Sequence, residues 1–188
     1  MRRRTFLRVP LAGILSLPLA TLVSAHTPYR QWKVLRQRFL LVHSSRSDPV
    51  SDDIAEQLVD LLDRVLPEAN AMVARAPDEQ RIASLLTTGQ ALLAVMREEQ
   101  AIDLYRHNGE FGAFEGQQLR ALVAEGDYLL VTVASFPRHH AWLVTSALIE
   151  NGGEFGIRLP DLASATNSVP LHDGAAAFSR GESLEAQK

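Results

Sequence analysis

The chain has no cysteine. A disulfide framework, a thiolate metal site and a cysteine nucleophile are thereby excluded, as is a lipoprotein anchor, which needs a cysteine at its cleavage site. Aromatic residues make up only 6% of the sequence, so no stacking platform for nucleic-acid bases stands out. Catalytic signatures are missing too: there is no Gly-x-Ser-x-Gly elbow, and no Gly-x-Gly-x-x-Gly follows the first strand-like run. No Asp/Glu/His cluster has zinc spacing such as His-Glu-x-x-His. The adjacent His139 and His140 would point about 100° apart on a helix, poorly placed to share an ion. The expectation is a protein that is not an enzyme, with no catalytic residue, no metal and no cofactor. Residues 11–23 are apolar, but they are interrupted by Pro18 and fall short of the ~20 residues of a membrane span.

What is present begins with a leader. Arg2, Arg3, Arg4 and Arg8 precede that apolar stretch, and Val23-Ser24-Ala25 puts small residues where a signal peptidase cuts, so residues 1–25 read as a signal peptide cleaved before His26. Arg3-Arg4-Thr5-Phe6-Leu7 resembles the twin-arginine export signal, with Arg3 and Arg4 as its arginines; an ordinary secretory signal is the alternative. The expected location is the periplasm. Removing four of the 19 basic residues and none of the 22 acidic ones leaves 15 against 22, a net charge of −7. That balance argues against nonspecific nucleic-acid binding, which needs a basic face.

From residue 39 the chain alternates. Residues 39–42 are a short apolar run, as expected of a strand buried on both faces. A polar loop, 43–49, follows. Ser51, Asp52 and Asp53 then offer helix caps ahead of Ile54, Leu58, Leu61, Leu62 and Val65 at helical spacing, and Pro67 closes the helix. Residues 70–74 read as a second strand, 77–89 as a helix ending at Gly89, 91–96 as a third strand and 98–108 as a third helix. That β-α-β-α-β-α order is the rhythm of parallel crossover units. A connector, 109–116, leads to two further runs that look like strands, 119–124 and 128–134, separated by a turn so short that the pair is an antiparallel hairpin unless the first run is not a strand. Pro137 opens a helix that stops at Asn151-Gly152-Gly153, and a short helix is expected around 174–178. The fold class implied is α/β: a single three-layer αβα lobe over 26–180, with a mostly parallel sheet of about five strands. Residues 181–188 read as a disordered tail.

In an open α/β sheet, ligands bind beyond the carboxyl ends of the strands. Ser44, Ser45 and Arg46 sit there as hydroxyls and an arginine able to grip an anion, and Arg97 follows the third strand, on the same edge if the strands are parallel. These four are the expected ligand-binding residues. The competing readings are a locally capped turn for the serines and a solvated surface side chain for Arg97.

Several segments, in order, also resemble a known family. Residues 86–97, a leucine and small loop with Gly89 before an apolar strand, resemble a segment of periplasmic solute-binding proteins. Residues 127–137 and the helix after them are similar to the late hinge strand and helix of those proteins. Pro170-Leu171-His172-Asp173-Gly174-Ala175 resembles the Pro-Leu-His-Pro-Gly-Ala motif of the TAXI family, the solute receptors of certain TRAP transporters, with Asp173 in place of the proline and Phe178 as the remaining aromatic. The resemblance implies a type II periplasmic-binding-protein-like fold, a small anionic or carboxylate solute, and membrane transporter subunits as partners. Those receptors close two lobes over their solute, and this chain matches one lobe only. The alternative is therefore an accessory module that binds another exported protein, or a second copy of itself, with a vestigial ligand site. On that reading Phe111 or Phe114 is expected at an exposed apolar patch near the ligand edge.

Overall fold

A computed structural model describes residues 39–115, 118–160 and 169–183. Residues 1–38, with Arg3, Arg4 and the expected cleavage before His26, lie outside the described residues, as do 116–117, 161–168 and everything beyond residue 183.

Five strands form one sheet: β1 (Leu40–Ser45), β2 (Ala71–Ala76), β3 (Leu93–Arg97), β4 (Leu119–Glu125) and β5 (Tyr128–Val133), in the order β2-β1-β3-β5-β4. Helix α1 (Pro49–Val65) joins β1 to β2, and α2 (Glu79–Thr87) joins β2 to β3. β2 lies on one side of β1 and β3 on the other, so two right-handed crossovers must pass over opposite faces of the sheet. Helix α3 (Glu98–Arg106) follows β3 directly and shares with α2 the short 3-10 turn Gly109–Phe111. Helix α4 (Arg138–Asn151) packs on α1 and carries the short α5 (Asp173–Ser179). Helices thus cover both faces, an αβα arrangement. Among the described residues no helix is long and apolar enough to cross a membrane.

The sheet is mixed, which corrects the expected mostly parallel one. β1 pairs in parallel with β2 and β3, while β5 pairs antiparallel with both β3 and β4. The cause is local: β4 and β5 are joined only by Gly126 and Asp127, and so short a link cannot cross over the sheet. β5 must therefore oppose β4, and by inserting between β3 and β4, antiparallel to both and with every residue buried, it becomes the strand that runs backwards. The outer side of β4 is partly covered by the returning chain, through a parallel bridge from Ala121 to Leu171 and an antiparallel one from Ala124 to Arg158.

The core is continuous across the sheet, from Leu58 and Leu62 of α1 through Val42, Leu93 and Val131 to Ile82 and Leu86 of α2. Phe111 belongs to it. Its ring is fully buried in the 3-10 turn packed against α2 and α3, with the half-buried Phe114 ring 6.2 Å away. The expected exposed patch at Phe111 is thus absent. His107, in the left-handed conformation that ends α3, turns the connector back over the lobe's own core. The end of the described chain is also tied down. The Glu182 carbonyl accepts from the Trp142 indole at 2.9 Å, and its carboxylate meets Arg138 and Arg180. Residues 181–183, assigned by sequence to the tail, thereby lie against α4.

Candidate functional site

Because β1 and β3 are parallel, their carboxyl ends meet at one edge of the sheet, and Ser44 to Arg46 share that edge with Arg97. The strand is longer than the sequence suggested. β1 runs through Ser45, so Ser44 and Ser45 are strand residues and not loop residues. α1 also starts earlier, with Asp48 as its N-cap and Pro49 at its first position, where a missing N–H costs nothing.

Those shifts change what the serines do. Ser44 is fully buried, and its hydroxyl donates to Asp52 at 2.7 Å. Ser45 is only 1% exposed; its amide donates to the Ser51 hydroxyl at 3.1 Å and its own hydroxyl lies 2.7 Å from Ser47 Oγ. Ser47 in turn donates to Glu79 at 2.9 Å, so the hydroxyl chain runs outward from Ser45 through Ser47 to a carboxylate. The loop amides are also taken: Arg46 N donates to Ala76 O, Ser47 N to Ser45 Oγ and Asp48 N to Ser45 O. Ser44 and Ser45 are therefore buried parts of the edge whose hydroxyls, like the amides of the loop after them, already have partners within the chain. Arg46 and Arg97 do reach solvent.

Arg97 is held in a way the sequence did not reveal. Its Nε donates to Asp48 Oδ2 at 3.0 Å and its Nη2 to Asp48 Oδ1 at 3.2 Å, a two-pronged grip on a carboxylate whose side chain is 7% exposed. The Tyr128 hydroxyl donates to the same carboxylate, 2.9 and 3.1 Å from its two oxygens, and the guanidinium carbon sits 5.1 Å from the centre of the Tyr128 ring. The antiparallel β3–β5 register makes this possible, since it pairs Arg97 with Tyr128. Burial, then the hydrogen bond to Asp48 and its charge, push the Tyr128 hydroxyl up to about 12, so it stays a donor. The hydrogen bond and charge of Asp48 raise Arg97 above the usual guanidinium value. Half of the Arg97 side chain remains open to solvent.

A second carboxylate stands nearby. Burial alone would raise Asp52, but the hydrogen bonds from Ser44 and Arg75 and the charges of Arg75 and Arg46 outweigh it and leave its carboxyl below the usual range. Arg75 bridges Asp52 and Glu56 across β2 and α1.

Asp48, Ser47 and Tyr128 are the parts of this edge that sequence reasoning missed. Asp48 and Ser47 lay inside the hydroxyl-rich loop already noted, and a buried aspartate before Pro49 is a recognisable N-cap signal. Nothing local marks Tyr128, which arrives from eighty residues away. Elsewhere, the rings of His139 and His140 lie 3.9 Å apart, and among the described residues no group of three or more His, Cys, Asp or Glu side chains could hold a metal ion. Compared with protein families, curated proteins and solved structures, the chain finds no significant match.

Proposed function

We propose that this is an exported, periplasmic solute-binding lobe of the type II, TAXI-like kind, which takes a small carboxylate solute at the edge bearing Arg46 and Arg97 and serves a TRAP-type transporter. The observation that carries the reading is the fixed Arg97 guanidinium. Asp48 holds one side of its fork and the Tyr128 ring lies beside it, while half the side chain faces water. A guanidinium already oriented loses little freedom when its remaining N–H groups meet a second carboxylate. Arg46, exposed on the same edge, supplies a further positive charge. Asp48 and Tyr128 act as positioning residues.

Two features of the fold support the family resemblance. β5, the strand that resembles a hinge strand, is the one that runs against its neighbours in the middle of the sheet. The Pro170–Ala175 motif also has a structural logic, with Leu171 bridging to β4, the His172 side chain accepting from the Gly174 amide, and Gly174 seated against α4.

Thermal-shift and calorimetric titration with mono- and dicarboxylates tests the proposal, because a ligand that binds only the folded chain must raise its melting temperature. At least one carboxylate should do so, and Arg97→Lys, which cannot reproduce the fork, should abolish the shift. A panel with no shift at all would sink solute binding by this chain alone. The accessory-module reading would then lead. The committed hydroxyls of Ser44 and Ser45 favour that second reading.

A further inference from the structure

The opposite edge of the sheet carries a second feature. A cavity of about 440 Å³ opens at the amino ends of β1 and β3, between the turn after α1 and the start of α4. Its walls are mostly apolar, built from Leu40, Leu66, Leu92, Phe136, Leu143 and Val144, with Glu68 and His140 as the polar side chains of the lining. A cavity of this size and lining has room for a cluster of apolar side chains, an aromatic one among them. Phe39, the first residue described, is itself part of the wall, so the preceding chain departs from the cavity's own rim.

That preceding chain has matching chemistry. Trp32, Leu35 and Phe39 stand at i, i+3 and i+7, while Arg30, Lys33, Arg36 and Arg38 make residues 26–38 basic with no acid among them. Trp32 is seven residues from Phe39, a tether of at most about 24 Å when fully extended, so the opening is within covalent reach of its indole. The basic groups complement Glu68 and the carbonyl end of α1. We propose that this cavity is the docking site of residues 26–38, with Trp32 as the side chain that anchors the segment in it. The segment is then anchored beneath the sheet, on the edge away from Arg46 and Arg97, and leaves that edge uncovered. The proposal stands whether or not a solute binds there.

Tryptophan fluorescence tests it on the full chain. Trp142→Phe leaves Trp32 as the sole indole of the two in the sequence, and the difference between wild type and Trp32→Phe gives the same spectrum without disturbing Trp142. Trp32 should emit in the blue, resist acrylamide quenching several-fold better than a free indole, and keep both properties on dilution. Leu143→Glu should return it to solvent-like emission with the far-UV spectrum unchanged. A solvent-like Trp32 in the wild-type chain overturns the proposal, as does shielding lost on dilution, which would mean that a second copy supplies the segment. A photo-crosslinking residue at position 32 covers the case in which Leu143→Glu fails to fold. Crosslinks to peptides containing Leu66, Leu92 or Leu143 support cavity docking, and crosslinks elsewhere reject it.

Discussion

At Asp48 side chains from three elements converge: the N-cap of α1, the last residue of β3 and the first of β5. Their roles are unequal, because Asp48 is buried while Arg97 is half-exposed. Removing the guanidinium strands a buried carboxylate, whereas removing the carboxylate frees an arginine to water. Tyr128→Phe keeps the ring beside Arg97 but deletes a donor to a charged acceptor, and should cost about 1.5–3 kcal/mol in urea unfolding at unchanged slope. A neutral result would mean that water replaces the hydroxyl at Asp48. Glu125 offers a contrasting case. Burial raises its carboxyl above the ordinary 4.5, opposed in part by the hydrogen bond from Gln57, and its Oε2 is buried with no partner among the described residues. With a raised folded value, the folded chain holds the proton more tightly than the unfolded one. The ionised side chain is then destabilising at neutral pH, and the effect disappears as pH falls below 4.5. Glu125→Gln should accordingly raise Tm at pH 7 by an amount that shrinks towards acid pH; a gain independent of pH would point to packing instead.

Among the elements, α5 depends most on a single position. A Cβ built on Gly174 would lie 2.2 Å from the carbonyl oxygen of Arg138 and 2.7 Å from the amide nitrogen of Trp142. Both are backbone atoms of the first five residues of α4, which cannot yield as a flexible side chain could. Gly174→Ala should therefore push α5 off α4 at a cost of about 1–3 kcal/mol or more. The edge-on contact of Phe178 with Trp142, 5.7 Å between ring centres, would be lost with it. Near-UV circular dichroism of the tryptophans reports that undocking, and an unchanged spectrum would show that the helices can separate without strain. The glycine of this motif is thus explained by helix contact, independently of any ligand.

At the scale of the whole molecule, two histidines of the described residues contribute to the response to mild acid. Burial lowers His172 below its ordinary 6.5, and the charge of Arg120 adds to this, while the backbone at Phe136 and Ala134 and the charge of Asp173 pull the other way. Burial and its neighbour His139 lower His140. In both cases the unfolded chain takes up a proton before the folded one does. The stabilisation is complete above pH 6.5 and is lost as pH falls from there through the depressed folded values. At His172 protonation also removes the acceptor that caps α5. His172→Asn, which can cap without titrating, should flatten the fall in Tm between pH 7 and 5; an identical profile would assign the acid response to other groups. Among the described residues the exposed large apolar side chains are Val50, Val65 and Met72, at the start of α1, the end of α1 and in β2.

Much of this was legible in the sequence. Short apolar runs, helical spacing and the Pro and Gly stops located every strand and helix to within a few residues, because each signal is read within one turn or one strand. That β5 runs against β4 followed from two residues of turn. The arrival of Arg97 on the edge of Ser44 to Arg46 followed from crossover geometry. Tertiary structure alone decided where β5 enters the sheet, and so that Tyr128 meets Arg97 and Asp48. It also decided that Ser44 and Ser45 are buried, that Phe111 belongs to the core, and that Arg97 already holds a carboxylate. Each of those outcomes depends on partners forty or more residues away or on which face a loop closes over. Such pairings are set by how the whole core packs, and no local pattern encodes them.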